Sequence, residues 1–288
     1  MTTAVIGATG RVGGEVVRGL LADSNAVVAL VRDTAKARRA FGEPPGLSIR
    51  PTRLDDPRDL AEAFEGVRSV FIAMGSIGIE GVLQRIAISA AARVSSIEQV
   101  TRLAVLNTSA NSLGINQRAH YSIDEFASST TVPYSTIRPA IFSASLLAAA
   151  SEVRTTRTWT GLAASGRTAL IDHRDAAAAG LRVLTDPALW NGHHDLTGPV
   201  PMSWPEALEL LSAELGELVT FRVAAEPQFL RHLIDAGIPA GTAELLITRE
   251  WSILAGENDY TTDTFQQITG RYPRPAAEFI RDYRAEFL

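Results

Sequence analysis

The feature that most constrains the fold is a glycine-rich turn near the N-terminus, between an apolar stretch and a helical pattern. The turn reads GATGRVG, from Gly7 to Gly13, and it follows apolar residues 4–6. The helical pattern runs to about residue 21, and a second apolar stretch occupies residues 26–31. A strand, glycine turn, helix and strand within about thirty residues predict a dinucleotide-binding βαβ unit, and with it a parallel sheet.

Each glycine of the turn has its own expected role. Gly7 lets the chain turn sharply off the strand, Gly10 leaves room for a pyrophosphate against the backbone, and Gly13 lets the helix pack closely on the sheet. The start of the helix offers free N–H groups and a positive dipole end to phosphate groups. The residues expected to bind the cofactor here are Gly7, Thr9, Gly10, Arg11, Val12 and Gly13.

Arg32 ends the second apolar stretch and bears on the choice of cofactor. An acidic residue at this place binds a ribose 2′-hydroxyl and favours NAD, whereas an arginine accommodates the 2′-phosphate of NADP. We therefore expect NADP(H) to be favoured over NAD(H), with Arg11 as a second cationic contact. Asp33 follows directly and counts against this preference. The alternative is that Arg32 is a solvated strand end.

Strand and helix patterns alternate through the first half of the chain, which predicts a Rossmann-type, doubly wound parallel sheet. The fifth strand is predicted at residues 102–106. Ligands of such sheets bind beyond the carboxyl ends of the strands, where Met74, Gly75, Thr108 and Ser109 are expected. We assign residues 1–142 to an NAD(P)-binding domain, to which residues 166–200 return. Residues 143–165 and 201–288 are expected to form a smaller substrate-binding cap.

Composition excludes several classes of site. The net charge of −5 lacks the basic excess typical of nucleic-acid-binding domains. The absence of cysteine excludes a disulfide, a thiolate zinc site and a cysteine nucleophile. We expect no metal, because the adjacent residues His193 and His194 would point to opposite faces of a strand. With no signal peptide and no apolar run of membrane-spanning length, we expect a cytoplasmic protein that binds no membrane.

Five segments resemble motifs of one family: GATGRVG, then DDP at residues 55–57 with Leu60, Ala63, Phe64 and Gly66, YSTIRP at Tyr134–Pro139, LTGP at 196–199 and TGRYP at 269–273. Over nearly its whole length the chain resembles the NmrA-like branch of the atypical short-chain dehydrogenase/reductases, which includes quinone oxidoreductase 2-like proteins. The resemblance implies an NADPH-dependent oxidoreductase that transfers hydride to a quinone or conjugated carbonyl compound. It also implies a small apolar or aromatic substrate, with a homodimer as one option.

The chain departs from the wider superfamily at its catalytic residues. Reductases of that superfamily carry a Tyr-x-x-x-Lys pair, with a Glu four residues after the Lys, and these positions correspond here to Asn116, His120 and Asp124. An adenine-contacting Asp of many relatives is replaced by Arg53. His120 is the remaining acid/base candidate, because imidazole titrates near neutrality. The alternative is that His120 only forms a hydrogen bond with the cofactor ribose or with Asp124.

Two functions fit the sequence. As an enzyme, the protein would position the nicotinamide against an acceptor, and Ser109 or Thr108 would bind a substrate oxygen or the nicotinamide edge. The alternative for these two side chains is a turn or helix cap. As a redox sensor, the protein would bind NADP(H) and act through a protein partner without turnover. The missing Tyr–Lys pair is compatible with both, since a quinone accepts hydride readily.

Overall fold

The computed structural model describes Met1–Leu288, and a seven-stranded parallel sheet lies at its centre. The strand order is β3-β2-β1-β4-β5-β6-β8, and β7 pairs with β9 in a separate two-stranded sheet. The strands are β1 (Thr2–Ile6), β2 (Ala26–Val31), β3 (Leu47–Pro51), β4 (Ser69–Ile72), β5 (Gln99–Leu103), β6 (Tyr134–Pro139), β7 (Thr158–Gly161), β8 (His193–Leu196) and β9 (Thr220–Val223).

Helices cover both faces of the main sheet, so the predicted Rossmann-type, doubly wound fold is confirmed. Three short 3₁₀ segments lie at Ser143–Ala149, Pro187–Leu189 and Arg284–Phe287. The α-helices are α1 (Arg11–Ala22), α2 (Thr34–Phe41), α3 (Pro57–Ala63), α4 (Ile79–Ala91), α5 (Ile115–Ser128), α6 (Ala150–Thr156), α7 (His173–Thr185), α8 (Trp204–Leu215), α9 (Glu226–Asp235), α10 (Ala240–Leu254), α11 (Thr264–Thr269) and α12 (Ala276–Asp282).

Both faces of the central strands β1 and β4 are buried, so each strand carries three consecutive apolar residues, at 4–6 and 70–72. In β1, Ala4 and Ile6 belong to a core with residues of α3, α4 and α5. Val5 between them belongs to a second core with residues of α1 and α7. Successive side chains of a strand point to opposite faces, so one short strand contributes to both cores.

The predicted position of the fifth strand was wrong by three residues. The regular strand β5 spans Gln99–Leu103 instead of residues 102–106. Gln99 and Thr101 of this strand are polar but fully buried, and the Gln99 amide donates a hydrogen bond to the Ser135 hydroxyl. These residues lack the apolar pattern by which a buried strand is recognised in a sequence. Backbone pairing with the β6 segment nevertheless continues past the strand, through Ala104 and Leu106.

Some of the helices begin with a side-chain cap and others do not. Helices α2, α3, α7 and α8 begin with side-chain caps from Asp33, Asp56, Asp172 and Ser203. The helices that follow β1, β4 and β5 begin at glycines without a side-chain cap, namely Gly10, Gly78 and Gly114. The first N–H groups of α1 therefore remain free at the carboxyl edge of β1, whereas the Ile115 N–H at the start of α5 donates to the Thr248 hydroxyl oxygen at 3.3 Å.

The C-terminal part has its own core around Trp204 and Trp159, whose ring centroids lie 4.9 Å apart. Helices α8 and α12 pack together there, whereas α11 packs on α7 and β8 of the main sheet domain. Phe265 and Ile268 of α11 share a core with Ile137 of β6. The proposed division into an NAD(P)-binding domain and a cap stays a prediction. No helix of the chain combines the length and apolarity that crossing a bilayer requires.

Candidate active site

The glycine turn after β1 leaves no room for side chains. Gly7 has φ +80°, and a Cβ on it would lie 2.0 Å from the carbonyl oxygen of Ala73, the residue after β4. A Cβ on Gly13 would lie 2.3 Å from the carbonyl oxygen of Gly7. The backbone of the turn is therefore in close contact with both β4 and α1, which agrees with the expected roles of these two glycines. Gly10 is the uncapped start of α1.

A cavity of about 390 Å³ lies on this turn. It adjoins a second cavity of about 450 Å³, and the two share Arg32 and Leu54 in their walls. The first cavity brings together the predicted cofactor residues Gly7, Thr9, Gly10, Arg32, Met74 and Gly75. Arg11, Val12 and Gly13 form the first turn of α1 beside it, with Arg11 exposed and the other two buried. Together these surfaces can hold an extended nucleotide.

Arg32 is exposed in this crevice and forms no ion pair, and neither does Lys36 on the same wall. Asp33, which counted against an anionic ligand, caps α2: its Oδ1 accepts a hydrogen bond from the Lys36 backbone N–H at 2.9 Å. The two cations form no ion pair and are available to an anionic group, and one oxygen of the Asp33 carboxylate is already engaged with the helix.

A third cavity, of about 240 Å³, lies between the carboxyl ends of β5 and β6 and helix α10; we call it the acceptor cavity. Apolar side chains make up half of its wall. Its wall is formed by Val105, Leu106, Asn116, Gln117, Pro139, Ala140, Ile141, Phe142, Ser145, Leu245, Leu246, Thr248, Arg249 and Asn258.

Thr108 and Ser109 line a polar groove with Glu257, outside the wall of the acceptor cavity. The Ser109 hydroxyl oxygen accepts a hydrogen bond from the Asn111 backbone N–H at 3.2 Å, which is a turn contact. Its own hydrogen remains available for another acceptor. The Thr108 hydroxyl is buried without a hydrogen-bond partner. These two residues therefore stay candidates for ligand contacts.

Asn116 and His120 lie on one helix, α5, but in different environments. Asn116 lines the acceptor cavity, and its Oδ1 accepts a hydrogen bond from the Ser76 hydroxyl at 2.6 Å. His120 is buried, with Nδ1 2.6 Å from Nη1 of Arg102. Because a guanidinium only donates, Nδ1 accepts and the imidazole is neutral. Burial, followed by the charge of Arg102, holds the pKa of His120 well below its usual range.

Arg102 joins β5 to helices α4 and α5 through a buried network. Its Nη2 donates to Oδ1 of Asp124 at 2.5 Å, and its Nε donates to the Tyr134 hydroxyl at 2.5 Å. Arg138 donates to the other oxygen of Asp124 at 2.9 Å. Burial raises the pKa of Asp124, but Arg102 and the Tyr134 hydrogen bond outweigh it, so that this pKa is lowered.

The same network reaches the nucleotide crevice through Gln84. Arg102 Nη1 donates to Gln84 Oε1 at 3.3 Å, and Gln84 Nε2 donates to the carbonyl oxygen of Gly75 at 2.5 Å. The loop after β4 is thereby fixed to the interior of the sheet domain. The sequence reasoning missed Arg102 and Gln84. The available signal was a charged residue inside a strand, which requires a buried partner.

The two adjacent histidines of β8 form hydrogen bonds with different parts of the chain. His193 Nδ1 lies 2.7 Å from the Thr136 hydroxyl, whereas His194 Nε2 lies 2.9 Å from the Leu189 carbonyl oxygen. Their rings therefore have separate partners. No group of three or more His, Asp or Glu side chains is arranged to hold a metal ion.

The family assignment follows from comparison with known proteins. A model of the NmrA-like family matches residues 1–284. The chain belongs to this family, as the sequence motifs had indicated. An NAD(P)H azoreductase of Xenophilus azovorans is 30% identical over 294 aligned residues, which cover 98% of each chain. Quinone oxidoreductase 2 of Escherichia coli (strain K12) is 24% identical over 280 residues, with 96% of each chain covered.

The fold is shared with solved structures of related proteins. An NADPH-dependent quinone oxidoreductase of Escherichia coli, solved in complex with NADPH, superimposes with a TM-score of 0.90. The match covers 99% of this chain and 100% of the other at 23% sequence identity. At this identity the comparison establishes the common fold, and the chemistry must be argued from the site of this chain.

Replacing Arg102 tests the importance of the buried network. We expect Arg102→Leu to lower the free energy of unfolding by about 3–5 kcal/mol, since it leaves the Asp124 carboxylate buried with one cation fewer. The matched control is Arg68→Leu, which removes an exposed ion pair with Glu98 and should cost at most about 1 kcal/mol. Urea unfolding of both variants measures the difference. Equal losses would show that the network is not specifically stabilising.

Replacing Gly10 tests the glycine turn as the phosphate site. Gly10 has φ −83° and ψ 170°, angles that valine also adopts. An added Cβ would lie 3.2 Å from the Gly7 carbonyl oxygen, which a shift of a few tenths of an ångström relieves, so Gly10→Val should keep the fold. Its branched side chain would occupy the uncapped start of α1, and we expect NADPH binding to fall below detection in calorimetry. The control is Gly241→Val, where no atom lies within 4 Å of the added Cβ. Native NADPH affinity in a folded Gly10→Val protein would place the phosphates elsewhere.

Proposed function

We propose that this protein is an NADPH-dependent oxidoreductase that reduces a quinone or related conjugated carbonyl compound. The observation that carries the proposal is the acceptor cavity, which lies at the same carboxyl edge of the sheet as the nucleotide crevice. A dinucleotide is long enough to extend from one end of such an edge to the other. The names of the azoreductase and quinone oxidoreductase relatives support the same class of reaction.

The crevice suits a nucleotide with several phosphates. Its floor is backbone without side chains at Gly7 and Gly10, and the free N–H groups at the start of α1 face it. Arg32 would bind the adenosine 2′-phosphate, with Lys36 on the same wall. The proposed preference for NADP(H) over NAD(H) rests on these two unpaired cations. The Thr108 hydroxyl, buried without a partner, is proposed to bind the nicotinamide end.

The residues of the acceptor cavity would orient the acceptor and exclude water from it. When bound, NADPH supplies a hydride. The chain offers no tyrosine and lysine for proton transfer, because Asn116 and His120 occupy those positions. We propose that His120 acts as a neutral group that positions Arg102, since its Nδ1 accepts a hydrogen bond from Arg102 and burial holds its pKa well below its usual range. A quinone tolerates this, because its reduced oxygen can take its proton from water.

Steady-state NADPH oxidation tests this function directly. We expect turnover with 1,4-naphthoquinone, which is measured as the loss of NADPH absorbance. The azo dye methyl red serves as a second acceptor. A native protein that binds NADPH but oxidises it with neither acceptor would contradict the proposal. That result would instead support a redox sensor, which binds NADP(H) without turnover.

The cofactor preference depends on Arg32. We expect Arg32→Ala to weaken NADPH binding by about 1.5–3 kcal/mol, the range for a lost hydrogen bond to a charged group, and to leave NADH binding unchanged. The control is Arg231→Ala, which removes an exposed arginine from α9 in the C-terminal part. Titration calorimetry with both cofactors gives the four affinities. Equal native affinities for NADPH and NADH would rule out the proposed 2′-phosphate contact.

His120 separates a proton donor from a positioning residue. The substitution His120→Asn keeps an acceptor for Arg102, so we expect kcat for 1,4-naphthoquinone to change by less than about ten-fold. Loss of a general acid would lower kcat by about 10²–10⁴-fold and would flatten its pH dependence. A loss of kcat above a hundred-fold in His120→Asn at unchanged NADPH affinity would contradict the positioning role.

The variant Ser109→Ala tests the Ser109 hydroxyl as a contact of the nicotinamide edge. Ser109 lies outside the wall of the acceptor cavity, so we expect a higher KM for NADPH and an unchanged KM for 1,4-naphthoquinone. An unchanged KM for NADPH would contradict the contact.

A further inference from the structure

Glu257 lies at the border between the polar groove and the acceptor cavity. It lines the polar groove together with Thr108 and Ser109, the candidate contacts of the nicotinamide. The next residue, Asn258, lines the acceptor cavity. Glu257 therefore lies where the nicotinamide side of the proposed site adjoins the wall that would hold the acceptor.

Glu257 accepts three hydrogen bonds from the loop after β5. One of its carboxylate oxygens accepts from the Leu113 backbone N–H at 3.0 Å, and the other accepts from the Ser112 hydroxyl at 2.6 Å. The Glu257 carbonyl oxygen accepts from the side-chain amide of Asn107. These bonds join the segment after α10 to residues 107–113, which are distant from it in the sequence.

The apolar contacts of α10 connect it to the C-terminal part of the chain. Ile247 belongs to a small core with Ala224 and Phe229, and Ile253 belongs to the core around Trp204. Neither core contains a residue of the seven-stranded sheet. The placement of α10 relative to the sheet therefore depends largely on polar contacts.

Two further hydrogen bonds connect the same parts of the chain. The Thr248 hydroxyl oxygen accepts from the Ile115 backbone N–H at 3.3 Å, and the Tyr260 hydroxyl donates to Oδ1 of Asn107 at 2.9 Å. Glu257 thus takes part in three of five hydrogen bonds, and it supplies the only carboxylate among them. Hydrogen bonds to a carboxylate are stronger than those between neutral groups, so Glu257 is the main polar connection.

The wall of the acceptor cavity is divided between these two parts of the chain. One side consists of residues at the carboxyl ends of β5 and β6, and the other consists of α10 residues and Asn258. A shift of α10 would therefore move a bound acceptor relative to the nicotinamide. Hydride transfer requires the reacting atoms in near contact, and a displacement of about 1 Å can lower a rate by about 10²-fold.

We propose that Glu257 is a positioning residue that sets the placement of the acceptor relative to the nicotinamide. It does so by holding the α10 side of the acceptor cavity against residues 107–113. This role rests on the proposed function, because that function places the acceptor of the electrons in this cavity. Glu257 acts through Asn258 and α10 and takes no part in proton transfer.

The variants Glu257→Ala and Glu257→Gln test this role in single-turnover NADPH oxidation with saturating 1,4-naphthoquinone. Alanine loses both side-chain hydrogen bonds. Glutamine can keep them, because its carbonyl oxygen accepts from Leu113 and its amide donates to the Ser112 oxygen. We expect the rate to fall by about ten- to a hundred-fold in Glu257→Ala and by less than about three-fold in Glu257→Gln.

Two observations separate a change of position from a general loss of stability. Partial unfolding would lower the amplitude of the single turnover, whereas misplacement of the acceptor lowers its rate. The control variant is Glu217→Ala, which removes an exposed carboxylate bonded to Arg157 at 2.6 Å in the C-terminal part. We expect a native rate in this control and native NADPH affinity in all three variants, because Glu257 lies outside the nucleotide crevice.

Amide hydrogen exchange of the ligand-free protein gives a readout that does not depend on turnover. We expect residues 107–113 and 240–258 to exchange faster in Glu257→Ala than in the native protein, and at the native rate in Glu217→Ala. If Glu257→Ala does not fold, Ser112→Ala replaces it, since this variant removes one of the two side-chain bonds from the other partner. The same changes are then expected to a smaller degree.

A native single-turnover rate in folded Glu257→Ala would overturn the assignment, as would an equal loss of rate in Glu257→Gln or unchanged exchange of residues 107–113. A loss of NADPH affinity that accounts for the slower turnover would also overturn it, because Glu257 would then serve cofactor binding. Failure of the proposed function has a different outcome. In that case the native protein would not oxidise NADPH, while faster exchange in Glu257→Ala would still show that Glu257 holds these segments together.

Discussion

The close approach of the β1–α1 turn to strand β4 is the constraint on which the site depends. Gly7 lies so near the Ala73 carbonyl that any side chain would separate the two strands, and Gly13 brings α1 equally close to Gly7. These contacts leave an open backbone surface at the point where the sheet reverses its strand order. Both the nucleotide crevice and the uncapped start of α1 exist because of that packing.

The buried network around Arg102 extends this constraint to the rest of the site. Arg102 fixes Gln84, which bonds to the loop after β4, and it also fixes Asp124 on α5. The helix that carries Asn116 is thereby held in register with the crevice. An ion pair in such a place contributes less to net stability than to a unique arrangement of its neighbours, which here are the cofactor loop and the cavity wall.

The sequence predicted the parts of the site that depend on local geometry. The glycine turn could be recognised because its glycines are required by close backbone contacts, either within the turn or with the adjacent strand. The partners of Arg102 could not be predicted, because Gln84, His120 and Asp124 are 18 or more residues distant from it in the sequence. The start of β5 was predicted wrongly for the same reason: the polar residue Gln99 can be buried because it forms a hydrogen bond with Ser135, which is distant in the sequence.

The central claim is that one bound dinucleotide extends from Arg32 in the crevice to the acceptor cavity. A crystal structure of the NADP⁺ complex tests it most directly. We expect the 2′-phosphate within hydrogen-bond distance of Arg32 and the nicotinamide ring facing the acceptor cavity. A nicotinamide ring turned away from that cavity, with the cavity closed to it, would contradict the account.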